Sequence, residues 1–420
     1  MKKRKMFREM KSAYRKLLSI CLSLYLLAFV SCRKESLEMI NPDRHYCNTY
    51  VSQFETVWSG IDHSYLFWER DTIDWDDVHE RLLPVFKEFD AKGGASDAEL
   101  SEAYRSMVHG LVDHHMSVQI RNLKTGNPVY ANPAWDEVPY RDYYHYDFSN
   151  QQIALLSTYS GVTEYCEGDG GFQCYGALFP GNNGKKIAYL RFRSFDVTSY
   201  SQAVHSGYMP ASTMAPFYAF YGNSGSYGIT GGWAKRDDVE ALIIDVRGNG
   251  GGALSDLKPL VGSLSKTRID FGYSRHKEGL GRLDYSAWTP FVVDCPPDHI
   301  QDDKKIIVLA DVNSASCSEI TASLIKSLPN GIFIGERTYG ATGPLIRGGF
   351  DLLYSGVFGD YNELGYYVYT SNFDVVDKSY ISLEGEGVTP DIECIFDANA
   401  LQNGHDNQLE RALLYVRTGK

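Results

Sequence analysis

An α/β fold with a helical N-terminal region is predicted for this 420-residue chain. Three observations predict it. Short apolar runs rich in β-branched residues, KIAYLRF (186–192), ALIIDV (241–246), KIIVLA (305–310) and GIFIGE (331–336), have the composition of strands buried on both faces. Stretches with helical spacing, ALSDLKPLVGSL (253–264) and SEITASLIKSL (318–328), lie among them. Residues 47–123 instead carry apolar residues at three- and four-residue intervals.

The first 32 residues read as a leader. MKKRKMFREMKSAYRK holds eight Lys/Arg and one Glu, and LLSICLSLYLLAFV (17–30) is a 14-residue apolar run. That run is short for a membrane span and suits a secretory h-region. It ends at Val30-Ser31-Cys32, which resembles a bacterial lipobox, so lipidation at Cys32 is expected. Cleaved or retained as an anchor helix, such a leader places the body outside the cytoplasm, lipid-anchored in the cell envelope, periplasm or outer membrane. Residues 33–46 read as a polar tether.

In the helical region, YVSQFETVWSGIDHSYLFW and DDVHERLLPVFKEF have amphipathic spacing, with Asp76 and Asp77 available as N-terminal caps. ELSEAYRSMVHGLVD continues the pattern. Residues 124–185, rich in Tyr, Gly, Asn and Pro, read as a β-rich connecting segment or an excursion over the core. The α/β core spans 186–400. NQLERALLYVR, within 401–420, reads as a packing helix.

The net charge is −12, and the leader contributes +8 − 1 = +7, so the remainder carries −12 − 7 = −19. An acidic body argues against nucleic acid and anionic lipid as binding partners. Six cysteines follow Cys32, none in a CxxC pair, which argues against a structural zinc site. Cys166 and Cys174 flank the Gly-rich EGDGGFQ, where an exported hairpin could hold a disulfide.

KIIVLADV runs directly into NSASCSEITASLIKSL: strand, small-residue turn, helix. A serine at such a junction has backbone N–H groups and the helix dipole aimed at an incoming group, as an acyl-transfer nucleophile requires. The same residues also spell a helix cap, with Ser316 and Glu319 as a capping box. A second strand–loop–helix stretch, ALIIDVRGNGGGALSDL, bears on that choice. DVRGNGGG (245–252), SASCSE (314–319), GERTYG (335–340) and GVTPD (387–391) follow one another in the order of peptidase family S41, the carboxy-terminal-processing and tricorn-like serine peptidases. With KIAYLRFRSF (186–195), the resemblance covers about half the chain.

The resemblance implies a ClpP/crotonase-like S41 catalytic core with Ser316 as nucleophile. It implies an oxyanion hole made by the N–H of Cys317 and a glycine N–H of the NGGG turn, Gly251 first, with Gly252 beside it. Asp245, Arg247 and Asn249 would stiffen that turn. A competing reading of RGNGGGA is a dinucleotide fingerprint, with Gly248, Gly250, Ala253 and a following Asp270. Asp245 and Arg247, where the strand should pass straight into the glycine turn, argue against it.

The Ser/Lys branch of the family carries a lysine where this chain has Ala341, and Lys326 reads as a solvated helix residue. The tricorn-like branch takes a histidine from the N-terminal part. MVHGLVDHHMSVQI (107–120) resembles its Leu-x-Asp-x-His stretch and puts His115 in that role. The pattern Glu-x-x-Gly-Val-x-Pro-Asp assigns the acid to Glu384, with Glu386 as the alternative. Tricorn-like relatives have a serine before the histidine; here it is His114. Asp113-His114-His115 also spells the DHH of two-metal phosphoesterases, and His109, His114 and His115 could bind a metal, but neither pattern has its companion motifs. The resemblance thus implies a serine peptidase acting on peptide or protein substrates, with no metal or cofactor needed. Many members of the family carry a PDZ domain, and no stretch of this sequence reads as one. A peptide- or glycan-binding protein on the same fold is the alternative. Oligomeric state is left open.

Overall fold

A computed structural model of the protein describes residues 45–420, apart from 138–146, 170, 223–231, 297–298, 301–303 and 346–353. The leader, Cys32 and the tether up to residue 44 lie outside the described residues. Among the described residues no helix is long and apolar enough to cross a membrane.

Three helices come first: α1 (Tyr50–Ser64), α2 (Trp75–Ala91) and α3 (Asp97–Val108). Thr49 and Ser96 cap α1 and α3 through capping boxes with Ser52 and Glu99. At α2 the cap is Asp74, which accepts from the amides of Asp76 and Asp77; those two expected caps sit inside the first turn. Phe54, Val57, Ile61, Leu82, Phe86, Phe89, Leu100 and Tyr104 form the apolar interior of this part.

The strands follow as β1 (Ser117–Arg121), β2 (Pro128–Ala131), β3 (Glu164–Glu167), β4 (Cys174–Pro180), β5 (Lys186–Phe192), β6 (Val239–Asp245), β7 (Ile269–Arg275), β8 (Thr289–Val293) and β9 (Lys305–Ala310). Next come α4 (Cys317–Ser327), β10 (Gly331–Gly335), β11 (Val357–Asp360), β12 (Tyr366–Tyr369), β13 (Asp374–Asp377), β14 (Ile392–Glu393) and the C-terminal α5 (Asn407–Thr418).

The central sheet has the order β14-β10-β9-β6-β5-β4-β3. From β14 to β5 it is parallel, and β4 and β3 add an antiparallel edge. The four apolar runs of the sequence are its adjacent strands β10, β9, β6 and β5. Side chains of β5 alternate between two cores, Ala188 and Leu190 on the side of α4, Ile187 and Tyr189 on the side of α5. That double burial is why these strands are apolar throughout rather than alternating.

Three features differ from the sequence reading. The N-terminal part is not only helical. A four-stranded sheet, β11-β12-β1-β2, closes its core with Val118, Ile120, Phe358, Tyr366 and Val368, so residues 357–369 join a unit built mainly from 47–131. The segment 124–185 supplies β3 and β4 to the central sheet, with a helix over Asp147–Leu156, and Cys166 and Cys174 are free thiols. The stretch 253–264 is not one helix: around Pro259 and Gly262 it breaks into 310 turns flanking a short helix, Leu257–Leu260.

Strand β7, which carries Asp270, lies in a separate antiparallel sheet of order β13-β7-β8. A dinucleotide fold needs the strand after the glycine loop parallel and in the same sheet. The tertiary structure therefore removes that reading. The loops after β6, β9 and β10 all leave the C-terminal edge of the parallel strands, so three motifs distant in sequence converge there.

Candidate active site

The 312–321 stretch contains three serines with different surroundings. Ser314 Oγ donates to Val246 O at 2.8 Å and Ser318 Oγ donates to Asn249 O at 2.7 Å; both are fully buried. Their hydroxyls hold the turn together. Ser316 is half-buried and has φ of +59°, a conformation that non-glycine residues rarely adopt. Strain of this kind at a strand-to-helix turn exposes a hydroxyl. Its side chain is close enough to the Glu319 amide to complete a capping box. That amide, however, donates to the Ser316 carbonyl at 2.9 Å, and the Glu319 carboxylate takes the Ser316 N–H at 3.1 Å. The helix end is thus served without the Ser316 hydroxyl.

Asn249 organises the facing loop. Its Nδ2 donates to Phe192 O at 2.9 Å, and its Oδ1 accepts the Gly251 N–H at 2.8 Å. Its carbonyl accepts from Ala315 N at 3.1 Å as well as from Ser318. The Gly251 amide, expected to face an oxyanion, is therefore engaged inside its own loop. What Gly251 supplies is closeness: at φ +98°, a Cβ there would lie 2.6 Å from the Ser316 Cβ. The backbone of Gly252 faces α4, with its carbonyl 3.1 Å from the Cys317 thiol.

Below the loop is a buried ionic network. Arg247 donates to Asp245 (2.6 Å) and, through both Nη atoms, to Asp406 (2.8 and 2.9 Å). Tyr189 donates to Asp245 at 2.6 Å. Burial alone would raise the Asp245 carboxyl, but the Arg247 and Arg191 charges outweigh it and hold it at about 2. Asp406 also caps α5, so the network ties the loop to the C-terminal helix. Asp245, Arg247 and Asn249 are arranged to support the loop.

The third loop runs from 336 to 343. Ala341 accepts the Ser316 N–H at 2.8 Å. The next two amides, Thr342 and Gly343, donate to Glu384 Oε2, each at 2.6 Å. Glu384 Oε1 accepts the backbone N–H of His114 at 2.9 Å. Thus Ser316, the turn, Glu384 and the histidine segment form a continuous chain of contacts. Facing ligand atoms of Asp113, His115 and Glu384 all lie within 4.8 Å of one another.

Asp113, which the sequence reading named only as part of a DHH motif, is the second carboxylate beside His115. It accepts from His115 N (3.0 Å), Ser371 N (2.8 Å) and Ser371 Oγ (3.0 Å). It is the aspartate of the Leu-x-Asp-x-His stretch, which was the signal available for it. Burial raises both carboxyls above their usual range, and the Asp113 charge raises Glu384 further. A group of one histidine and two carboxylates can in principle hold a divalent cation. Here each carboxylate oxygen already receives an N–H donor, which sets its direction from within the protein.

The neighbours separate clearly. His114 is buried, its Nδ1 3.1 Å from Tyr339 O. Glu386 is exposed and pairs with Arg337. Lys326 donates to Thr389 O and pairs with Asp391 at 3.1 Å. His109 is exposed at the end of α3.

The sequence profile of peptidase family S41 matches residues 186–394. The tricorn protease of Thermoplasma acidophilum is 26% identical over 228 residues, 54% of this chain and 17% of that protein. A tricorn protease homolog of Saccharolobus solfataricus is 26% identical over 188 residues, 41% of this chain and 14% of that protein. The chain thus spans less than a fifth of the length of either relative. A solved structure from Parabacteroides merdae superposes with a TM-score of 0.62 at 20% identity, covering 89% of this chain and 98% of that one. Mature CPAF complexed with lactacystin superposes at 0.58 with 14% identity, covering 88% and 97%. At these identities the likeness to the solved structures is one of fold.

Proposed function

Because this chain belongs to peptidase family S41, a family of serine-type peptidases, we propose that it hydrolyses peptide bonds of proteins or oligopeptides through Ser316, His115 and Glu384. Ser316 Oγ attacks the carbonyl carbon and gives its proton to His115. The tetrahedral oxyanion is received by the amides of Cys317 and Gly252, because the Gly251 N–H is already donated to Asn249. His115 then protonates the leaving amine, and the same histidine activates the water that releases the acyl group. Glu384 orients His115 and balances its charge, with Asp113 on the other side. Every step uses side chains and amides of this chain.

The observation that carries this reading is the link from the half-exposed Ser316, through residues 341–343, to the buried carboxylate beside His115. The cationic leader and Val30-Ser31-Cys32 support export and a lipid anchor at Cys32 as part of the proposal. The test is labelling of the purified protein by a fluorophosphonate. Wild type should be modified at Ser316, Ser316→Ala should not be, and His115→Ala should react about 10³-fold more slowly or less. An unlabelled wild type would overturn the peptidase reading and favour a binding protein on this fold.

A further inference from the structure

We propose that Glu319 is a positioning residue that locks the nucleophile to the turn holding Glu384, an inference that rests on the peptidase reading above. Glu319 lies on α4 and is fully buried. Its carboxylate receives four donors. Oε1 accepts from Thr338 Oγ1 (2.6 Å) and Gly340 N (2.7 Å). Oε2 accepts from Ala341 N (2.7 Å) and Ser316 N (3.1 Å). The next donors along the chain, Thr342 N and Gly343 N, turn to Glu384 instead. Two buried carboxylates therefore divide one turn between them. The first fixes it to the nucleophile, and the second fixes it to the His114–His115 segment.

A capping glutamate needs only the Ser316 N–H. The three further donors from residues 338–341 serve no need of the helix. What they fix is the distance between Ser316 and the Glu384 pair, which come from elements remote in sequence. Only an ionised carboxylate offers two oxygens that accept everywhere and donate nowhere. In Glu319→Gln one position becomes an NH2 facing two donors, and the turn must move. Small misplacements at a reacting centre cost about 10²-fold in rate.

Peptide hydrolysis (kcat and KM separately) and fluorophosphonate labelling would be measured on the full chain for wild type, Glu319→Gln, Thr338→Val and Thr338→Ser. The expected result for Glu319→Gln is a kcat lowered about 10²-fold with KM within about threefold, and labelling slowed in parallel. Thr338→Val should lose about tenfold, and Thr338→Ser, which keeps the hydroxyl, should stay near wild type. The Thr338 pair keeps the test decisive if Glu319→Gln does not fold. Wild-type kcat in Glu319→Gln, or equal loss in both Thr338 variants, would overturn this inference alone. A wild type that neither hydrolyses peptides nor takes the probe would overturn the peptidase reading and this inference with it.

Discussion

Glu386 pairs with Arg337 in solvent, whereas Glu384, two residues earlier, is buried with amides from His114, Thr342 and Gly343 on its oxygens. A carboxylate that orients a histidine must be held by donors that do not move with solvent, and of these two glutamates Glu384 alone meets that condition. Glu384→Gln is therefore expected to lower kcat by about 10³- to 10⁴-fold, as when an orienting carboxylate is neutralised elsewhere. Glu386→Gln should stay within about twofold, because an exposed ion pair contributes little. Steady-state hydrolysis by the two variants compares them directly.

The loop after β6 shows how a short element can be rigid without helix or strand hydrogen bonds. Asn249 provides the internal contacts, and Gly251 provides the close approach to Ser316. A methyl at residue 251 would meet Ser316 Cβ and the Cys317 amide nitrogen, at 2.6 and 3.0 Å, in a backbone region that L side chains rarely adopt. A methyl at residue 250 would meet nothing within 4 Å. Gly251→Ala should therefore lose fluorophosphonate labelling by about 10²-fold while keeping its circular dichroism spectrum. Gly250→Ala should be labelled at a rate within about twofold of wild type. Equal labelling of both variants would show that the loop relaxes and that closeness at 251 is not required.

One contact between the N-terminal part and the His115 segment runs through Val112. The amide of Val112 is shared between Tyr65 Oη (3.1 Å) and Asp71 Oδ1 (3.2 Å), just before Asp113 and His115, and Tyr65 in turn donates to Asp71. Burial pushes the Asp71 carboxyl up to about 7, against the bonds from Tyr65 and Val112 and the Arg70 charge. Unfolding returns that group to its ordinary 3.8, so between these limits the folded chain binds more protons than the unfolded one. Stability from this group is then highest below the lower limit, falls as pH rises through the window, and levels off above about pH 7. Burial also raises the Glu319 carboxyl, against the four donors that favour its ionised form. Asp71→Asn removes one of these titrations. Its urea midpoint should fall less than that of wild type between about pH 5 and pH 8. An identical fall would show that Asp71 does not titrate in this window.

Local chemistry determined much of this protein before any contact was known. Strands β5, β6, β9 and β10 were legible because burial on both faces leaves a run of β-branched residues with no polar interruption. Ser316, His115 and Glu384 were singled out because their motifs resemble those of family S41, and their roles belong to the proposal. Asp113 lay inside a quoted motif but shows its part only when Ser371, 258 residues away, is seen to donate to it. Nor could spacing show that β12 pairs with β1 rather than joining the central sheet, since both choices bury the same alternating face. The Gly251 amide looked available in sequence and is taken by Asn249 in space. Glu319 read as a helix cap, because three of its four donors come from a turn beyond the helix. Residue type and period specify an element and its buried face; which donor meets which acceptor depends on the approach of distant backbone, and only the tertiary structure decides that.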